Sequence, residues 1–143
     1  MLARDNPNRD RGAAMAHAPL TVFDHLGGEE GLRVLVDRFY FHMDARKDSQ
    51  GIRKMHPKDL GESKDKLWRF LVGRFGGPNL YVEKHGHPRL RMRHMPFAIG
   101  DAEALAWVTC MDLALAEQVE SPELRTELLA FFSQVAQHMK NQA

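Results

Sequence analysis

The stretch Gly76–Gly100, GGPNLYVEKHGHPRLRMRHMPFAIG, decides how the rest of the chain is read. It opens on Gly76-Gly77-Pro78, which stops any helix before it. Glycine supplies the left-handed conformation of a helix C-cap, and proline cannot continue the helix. Pro88 and Pro96 then bracket Arg89–His94, leaving room for only a turn or two of helix. A connector needs turn residues and polarity. This one instead packs His85, His87, Arg89, Arg91, Arg93 and His94 close together, interleaved with Leu90 and Met92. Its composition is odd for a mere linker.

Both flanks of this stretch are helical. Upstream, Leu32, Leu35, Val36, Phe39, Tyr40 and Met43 recur in steps of three and four between Glu29 and Met43, one helical face. Gly27-Gly28 separates that helix from a short turn around Val22 to Leu26. A second helix runs from about Gly61 to Arg74, with Leu67, Phe70, Leu71 and Phe75 on one side. Downstream, Asp101 is a candidate N-cap, and Ala104, Trp107, Val108, Met111 and Leu115 form the next stripe. The last helix opens on Ser121-Pro122, a cap followed by proline in the first turn. Its face is Leu124, Leu128, Phe132, Val135 and Met139. No comparable segment alternates with period two, so the chain reads as an all-α domain of four substantial helices plus short ones.

Composition bounds the function. The chain has 143 residues, 43% hydrophobic and 27% charged, which suits one domain with a sizeable core. Twenty Lys+Arg against nineteen Asp+Glu give a net charge of +1, so no global field points to nucleic acid or an anionic membrane. No apolar run exceeds five residues, such as Leu128 to Phe132, which excludes a transmembrane helix. Residues 1–19 mix charge with Pro, Gly, Ala and Asn without a period and are expected to form a mobile tail, leaving 20–143 as the domain. They lack the apolar core of a secretory signal, so a cytoplasmic location is expected. The single cysteine, Cys110, excludes an internal disulfide and a thiolate-rich zinc site, and reads as a small buried hydrophobe.

The stretch Gly76–Gly100, taken with Arg38-Phe39-Tyr40 upstream and Ala106-Trp107 and Cys110-Met111 downstream, resembles the truncated haemoglobins, specifically group II. The likeness covers roughly residues 21–140 in the same helical order. It implies a shortened globin fold, a two-over-two helical sandwich around haem b, with an extended loop where a longer helix would carry the iron ligand. The irregular middle of this chain suits that loop.

The resemblance assigns roles residue by residue. His94 matches the histidine that ligates haem iron; a neutral imidazole suits iron, and its other ring nitrogen can donate to a carbonyl that fixes the ring. Arg93 resembles the arginine that pairs with a haem propionate, a bidentate task for guanidinium, and Lys66 and Tyr81 stand where further propionate contacts occur. Arg89 and Arg91 are expected to be solvated. Leu90, Phe70, Phe97 and Ile99 fit the apolar walls, where lining a porphyrin and packing a core are the same physics.

On the opposite side Tyr40 matches a ligand-facing tyrosine and Trp107 the indole that marks group II. Each donor aimed at a charged acceptor contributes about 1.5–3 kcal/mol, so the pair slows ligand release by roughly two to four decades. Periodicity alone would make both ordinary core aromatics. His56 stands where the family usually has Tyr or Phe; it reads either as a donor to the ligand or to Tyr40, or as an exposed loop histidine beside Pro57. Ser63 falls where other globins carry a histidine and is too short to close the sixth position, with Leu67 one turn on as an apolar lid.

The expected function is binding of O2, NO and CO, with NO dioxygenation or peroxidase-type chemistry as an extension that needs a separate reductase. A monomer or homodimer is expected. The rival reading is a haem-free helical module holding an anionic partner through the basic segment 84–93, or zinc through His85, His87 and His94. No aromatics alternate with those cations for base stacking, and three imidazoles without fixed spacing make a weak zinc site.

Overall fold

The computed structural model describes residues 20–142, so the expected tail 1–19 lies outside the described residues. Among the described residues eight α-helices follow in order: α1 (Val22–His25), α2 (Gly28–Ala45), α3 (Gln50–Arg53), α4 (Gly61–Arg74), α5 (Leu80–His85), α6 (Leu90–His94), α7 (Asp101–Gln118) and α8 (Pro122–Met139). A 3-10 turn, Lys47–Ser49, precedes α3, and no strand occurs among the described residues. The long helices carry the packing: α2 lies on both α4 and α7, and α7 on α8.

The stripe read on α2 is the buried one: Leu32, Leu35, Val36, Phe39, Tyr40 and Met43 are all in the core. Two other stripes differ. On α4 the fully packed residues are Trp68, Leu71 and Val72, with Phe75 just beyond, whereas Leu67 and Phe70 are only half-buried. Trp68 anchors this helix: its indole N–H donates to the Glu29 carbonyl at 2.8 Å, and the Arg33 guanidinium lies 3.9 Å over its ring. On α7 the small residues Ala106, Cys110 and Ala114 are buried as well as Ala104, Met111 and Leu115, while Trp107 and Val108 are half-buried. A helix packed on two neighbours at once is apolar over most of its circumference, so a single stripe under-describes it.

Caps mark the starts of the last two helices. Ser121 accepts the Leu124 N–H at 3.1 Å, with Pro122 in the first turn as expected. Asp101, expected to cap α7, instead lies in its first turn; the cap is Gly100, whose N–H donates to Glu103 Oε1 at 2.7 Å. Gly76 and Gly77 do different jobs. Gly76 takes the left-handed turn after α4 (φ 112°), whereas a Cβ on Gly77 would stand 2.7 Å from the Phe23 ring and 2.9 Å from Val72. The double glycine thus stops α4 and also lets α1 dock on its end.

Beyond α6 the backbone runs irregularly to α7, with residues 95–98 exposed and Ile99 and Gly100 buried. The segment after α8 returns to this loop, where the Asn141 N–H donates to the Ile99 carbonyl at 2.8 Å. Arg91, expected to be solvated, donates from Nη1 to the carbonyls of His138 and Lys140, both at 2.8 Å. That cation satisfies carbonyls at the C-terminal end of α8 that have no partner within the helix.

Candidate functional site

A cavity of about 360 Å³ opens among α2, α4, α6, α7 and α8, and every candidate site residue lines it: Tyr40, His56, Ser63, Lys66, Leu67, Phe70, Tyr81, Leu90, Arg93, His94, Phe97, Ile99 and Trp107. This explains the half-burial of Leu67, Phe70 and Trp107, which pack against the core and also face the void. Its size and mostly apolar lining with a few polar tips are those of a small-molecule or cofactor site.

His94 ends α6, and its Nδ1 lies 2.6 Å from the Leu90 carbonyl one turn back. A carbonyl only accepts, so Nδ1 carries the proton, and it is Nε2 that can offer a lone pair to a metal. The same bond fixes the ring's orientation. Arg89, which starts this helix, holds a left-handed conformation (φ 46°) rare for a side-chain-bearing residue. Its N–H donates to His87 Nδ1 at 3.1 Å.

The Tyr40 hydroxyl and the Trp107 indole N–H, on residues that line the same cavity, make no hydrogen bond among the described residues. Burial pushes the Tyr40 phenol well above its ordinary value, so it remains a proton donor at any physiological pH. Phe39 holds both rings in place, edge-on to Tyr40 at 4.9 Å and to Trp107 at 5.2 Å between centroids.

His56 is half-buried and its ring stands 5.6 Å from that of Tyr40, so it is not a free loop histidine. Its Nδ1 donates to the Ile52 carbonyl at 2.9 Å. Burial lowers its pKa, partly offset by that bond, so the ring is neutral near pH 7 and Nε2 can only accept. The expected donor to a ligand is therefore, in this tautomer, an acceptor.

The rim carries the cations. Lys66 lies 3.2 Å from Glu62, and Arg93 donates from Nε to the Pro88 carbonyl at 2.7 Å. Tyr81 is buried, edge-on to Phe70 and tilted on His85 at 4.9 Å. Lys84 and Arg69 both reach Asp65; burial raises that carboxyl, but the two hydrogen bonds outweigh it and hold it below the ordinary range. The basic segment is thus largely engaged within the fold: Lys84 with Asp65, Arg91 and Arg93 with carbonyls. Among the described residues no three His, Cys, Asp or Glu side chains form a metal cage, which leaves the zinc reading without support.

Sequence reading missed part of the wall: Ile52, Met55, Phe131 and Ala136 also line the cavity, and Ala104, Val135 and Met139, read as core, face it too. Helical spacing marks an apolar face and says nothing of whether that face meets a neighbour or a void.

The profile of the bacterial-like globin family matches residues 21–141. The group 2 truncated hemoglobin YjbI of Bacillus subtilis is 41% identical over 115 residues, 80% of this chain and 85% of that protein. The group II 2-on-2 hemoglobin of Agrobacterium tumefaciens superposes with a TM-score of 0.85 at 40% identity, covering 90% of this chain and all of that one. A truncated oxygen-avid haemoglobin from Bacillus subtilis superposes with a TM-score of 0.77 at 38% identity, covering 85% of this chain and all of that one. The chain therefore belongs to the bacterial-like globin family. Within it, the fold is the two-on-two sandwich of the group II truncated haemoglobins.

The cofactor of this family is haem b, and the residues present fit it. The cavity offers an imidazole fixed through Nδ1, a mostly apolar lining, and the cations Lys66 and Arg93 for a propionate-bearing edge. Family membership carries the coarse function, haem-based binding of a small ligand.

Proposed function

We propose that this chain binds dioxygen and other diatomic ligands, NO and CO among them, at a haem b held through His94. Haem supplies an iron with a position open to a diatomic ligand. The protein supplies everything that sets affinity. His94, its Nδ1 tied to Leu90, presents Nε2 in one orientation. Arg93, Lys66 and Tyr81 hold the carboxylate edge of the cofactor, and Leu90, Phe70, Phe97 and Ile99 pack its faces.

Tyr40 and Trp107 donate to the partial negative charge of a polarised diatomic guest, and the low polarity around them strengthens both bonds. His56 accepts, and so competes for the Tyr40 proton. Ser63 leaves an opening to solvent, narrowed by Leu67.

The observation that carries this reading is that a carbonyl-fixed histidine and two aromatic donors, the Tyr40 hydroxyl and the Trp107 indole N–H, line one cavity. Two donors favour retention over delivery, and the relative described as oxygen-avid has the same fold. Such a site also suits NO dioxygenation or peroxide chemistry, for which electrons come from a separate reductase.

An absorption spectrum tests the proposal: the chain is titrated with haemin, reduced with dithionite and exposed to carbon monoxide. A sharp Soret band saturating at one haem per chain and shifting with CO is expected. No stoichiometric uptake would overturn it.

A further inference from the structure

Resting on His94 as the cofactor's ligand, we infer that Asn141 is a positioning residue for that histidine. His94 ends a helix of five residues, too short to be stable by itself, and the loop that follows is largely exposed. The backbone that aims the imidazole must therefore be held from outside.

Asn141, two residues beyond α8, does this with one carboxamide. Its Nδ2 donates to the Phe97 carbonyl at 2.7 Å and, at 3.4 Å, to the carbonyl of His94 itself. Its Oδ1 accepts the Ile99 N–H at 3.0 Å, and its own N–H donates to the Ile99 carbonyl at 2.8 Å. The side chain thus spans the loop from the ligand residue to Ile99, which lines the cavity. Only an amide carries a donor and an acceptor at this spacing; aspartate would keep the acceptor and lose both donated bonds.

Two further contacts pull the same segments together. Arg91 joins α6 to the His138 and Lys140 carbonyls, and Lys140 Nζ lies 2.7 Å from Asp101 at the start of α7. Of these, only Asn141 reaches the carbonyl of His94 and the loop next to it, so the alignment of the ring is assigned to it. Partners one step removed from a metal typically change its retention ten- to a hundredfold.

The test uses the full chain loaded with haemin, in wild type, Asn141→Ala, Asn141→Asp and Lys140→Ala. Two quantities are read: the iron–histidine stretching band of the ferrous form by resonance Raman, and the rate of haem transfer to an excess of a haem-free acceptor globin. Circular dichroism checks that helix content is kept; should Asn141→Ala lose it, Asn141→Asp carries the test.

In both Asn141 variants the band is expected to shift or broaden and haem loss to quicken by about tenfold or more. Lys140→Ala, which keeps its carbonyl and removes only the ion pair, is expected to leave the band in place. An unmoved band in folded Asn141 variants overturns the inference while leaving His94 as ligand. An equal shift in Lys140→Ala overturns the assignment to Asn141. Failure of the wild type to take up haemin removes the ligand reading and this inference with it.

Discussion

Of the residues that line the cavity, Tyr40, Leu67 and Trp107 stand on helices of 18, 14 and 18 residues, whereas His94 closes a helix of five. The long helices hold their side chains by packing, with Phe39 fully buried between Tyr40 and Trp107. The His94 side is built from individual hydrogen bonds: Leu90 to the ring, Asn141 to the loop, Arg91 to the end of α8. The donor side thus draws its rigidity from the whole core. The ligand side is adjustable one bond at a time, so a single substitution there can retune the site without unfolding the protein.

The largest expected effect strikes the packed side. Phe39→Ala removes a fully buried ring that touches both donors and is expected to cost about 3–5 kcal/mol of unfolding free energy, measured by urea denaturation of the cofactor-free chain. A loss under about 1 kcal/mol would mean that packing does not hold this wall. His94→Gly should do the reverse. Haem retention is expected to fall by more than about a hundredfold in a haemin titration, with the denaturation midpoint of the cofactor-free chain nearly unmoved, because the residue is half-buried at the edge of the fold.

Trp107→Phe keeps the ring and deletes the donor. Oxygen dissociation is expected to quicken by about tenfold in stopped-flow, as loss of one bond to a charged acceptor implies. An unchanged rate would place the indole N–H away from the guest.

The smallest effect is a surface one. Arg38 and His42 on α2 meet Glu117 on α7, at 2.8 and 2.9 Å. Hydrogen bonding to Arg38, with His42 adding to it, lowers the Glu117 pKa from 4.5 to about 2. A carboxyl depressed on folding stabilises above its unfolded value and loses that contribution as pH falls through the folded one. The difference in Tm between wild type and Glu117→Gln is therefore expected to be present at neutral pH and to shrink between about pH 4.5 and 2. Exposure keeps it small. A gap that widens on acidification would reverse the sign.

How much could be read beforehand follows the same division. The α2 face, the stop at Gly76-Gly77-Pro78 and the Ser121-Pro122 start were legible because each depends on its own segment. The candidate residues, including His94, Tyr40 and Trp107, were legible through the motif, and the fold gathers them at one cavity. The cap of α7 was misplaced by one residue, since Asp101 is as good a cap type as Gly100 until the position of Glu103 is known.

The sequence by itself determined an all-helical chain, the order and punctuation of its helices, and the segment that had to be irregular. Local periodicity and turn chemistry act over a few residues, so they are written along the chain. Only the tertiary structure decided that Ala106 and Ala114 are core, that Ile52, Met55 and Phe131 face a void, and that His56 offers a lone pair instead of a proton. It alone brought Asn141 to the carbonyl of His94, forty-seven residues away. Such contacts depend on how distant helices meet, and no short-range pattern encodes that meeting.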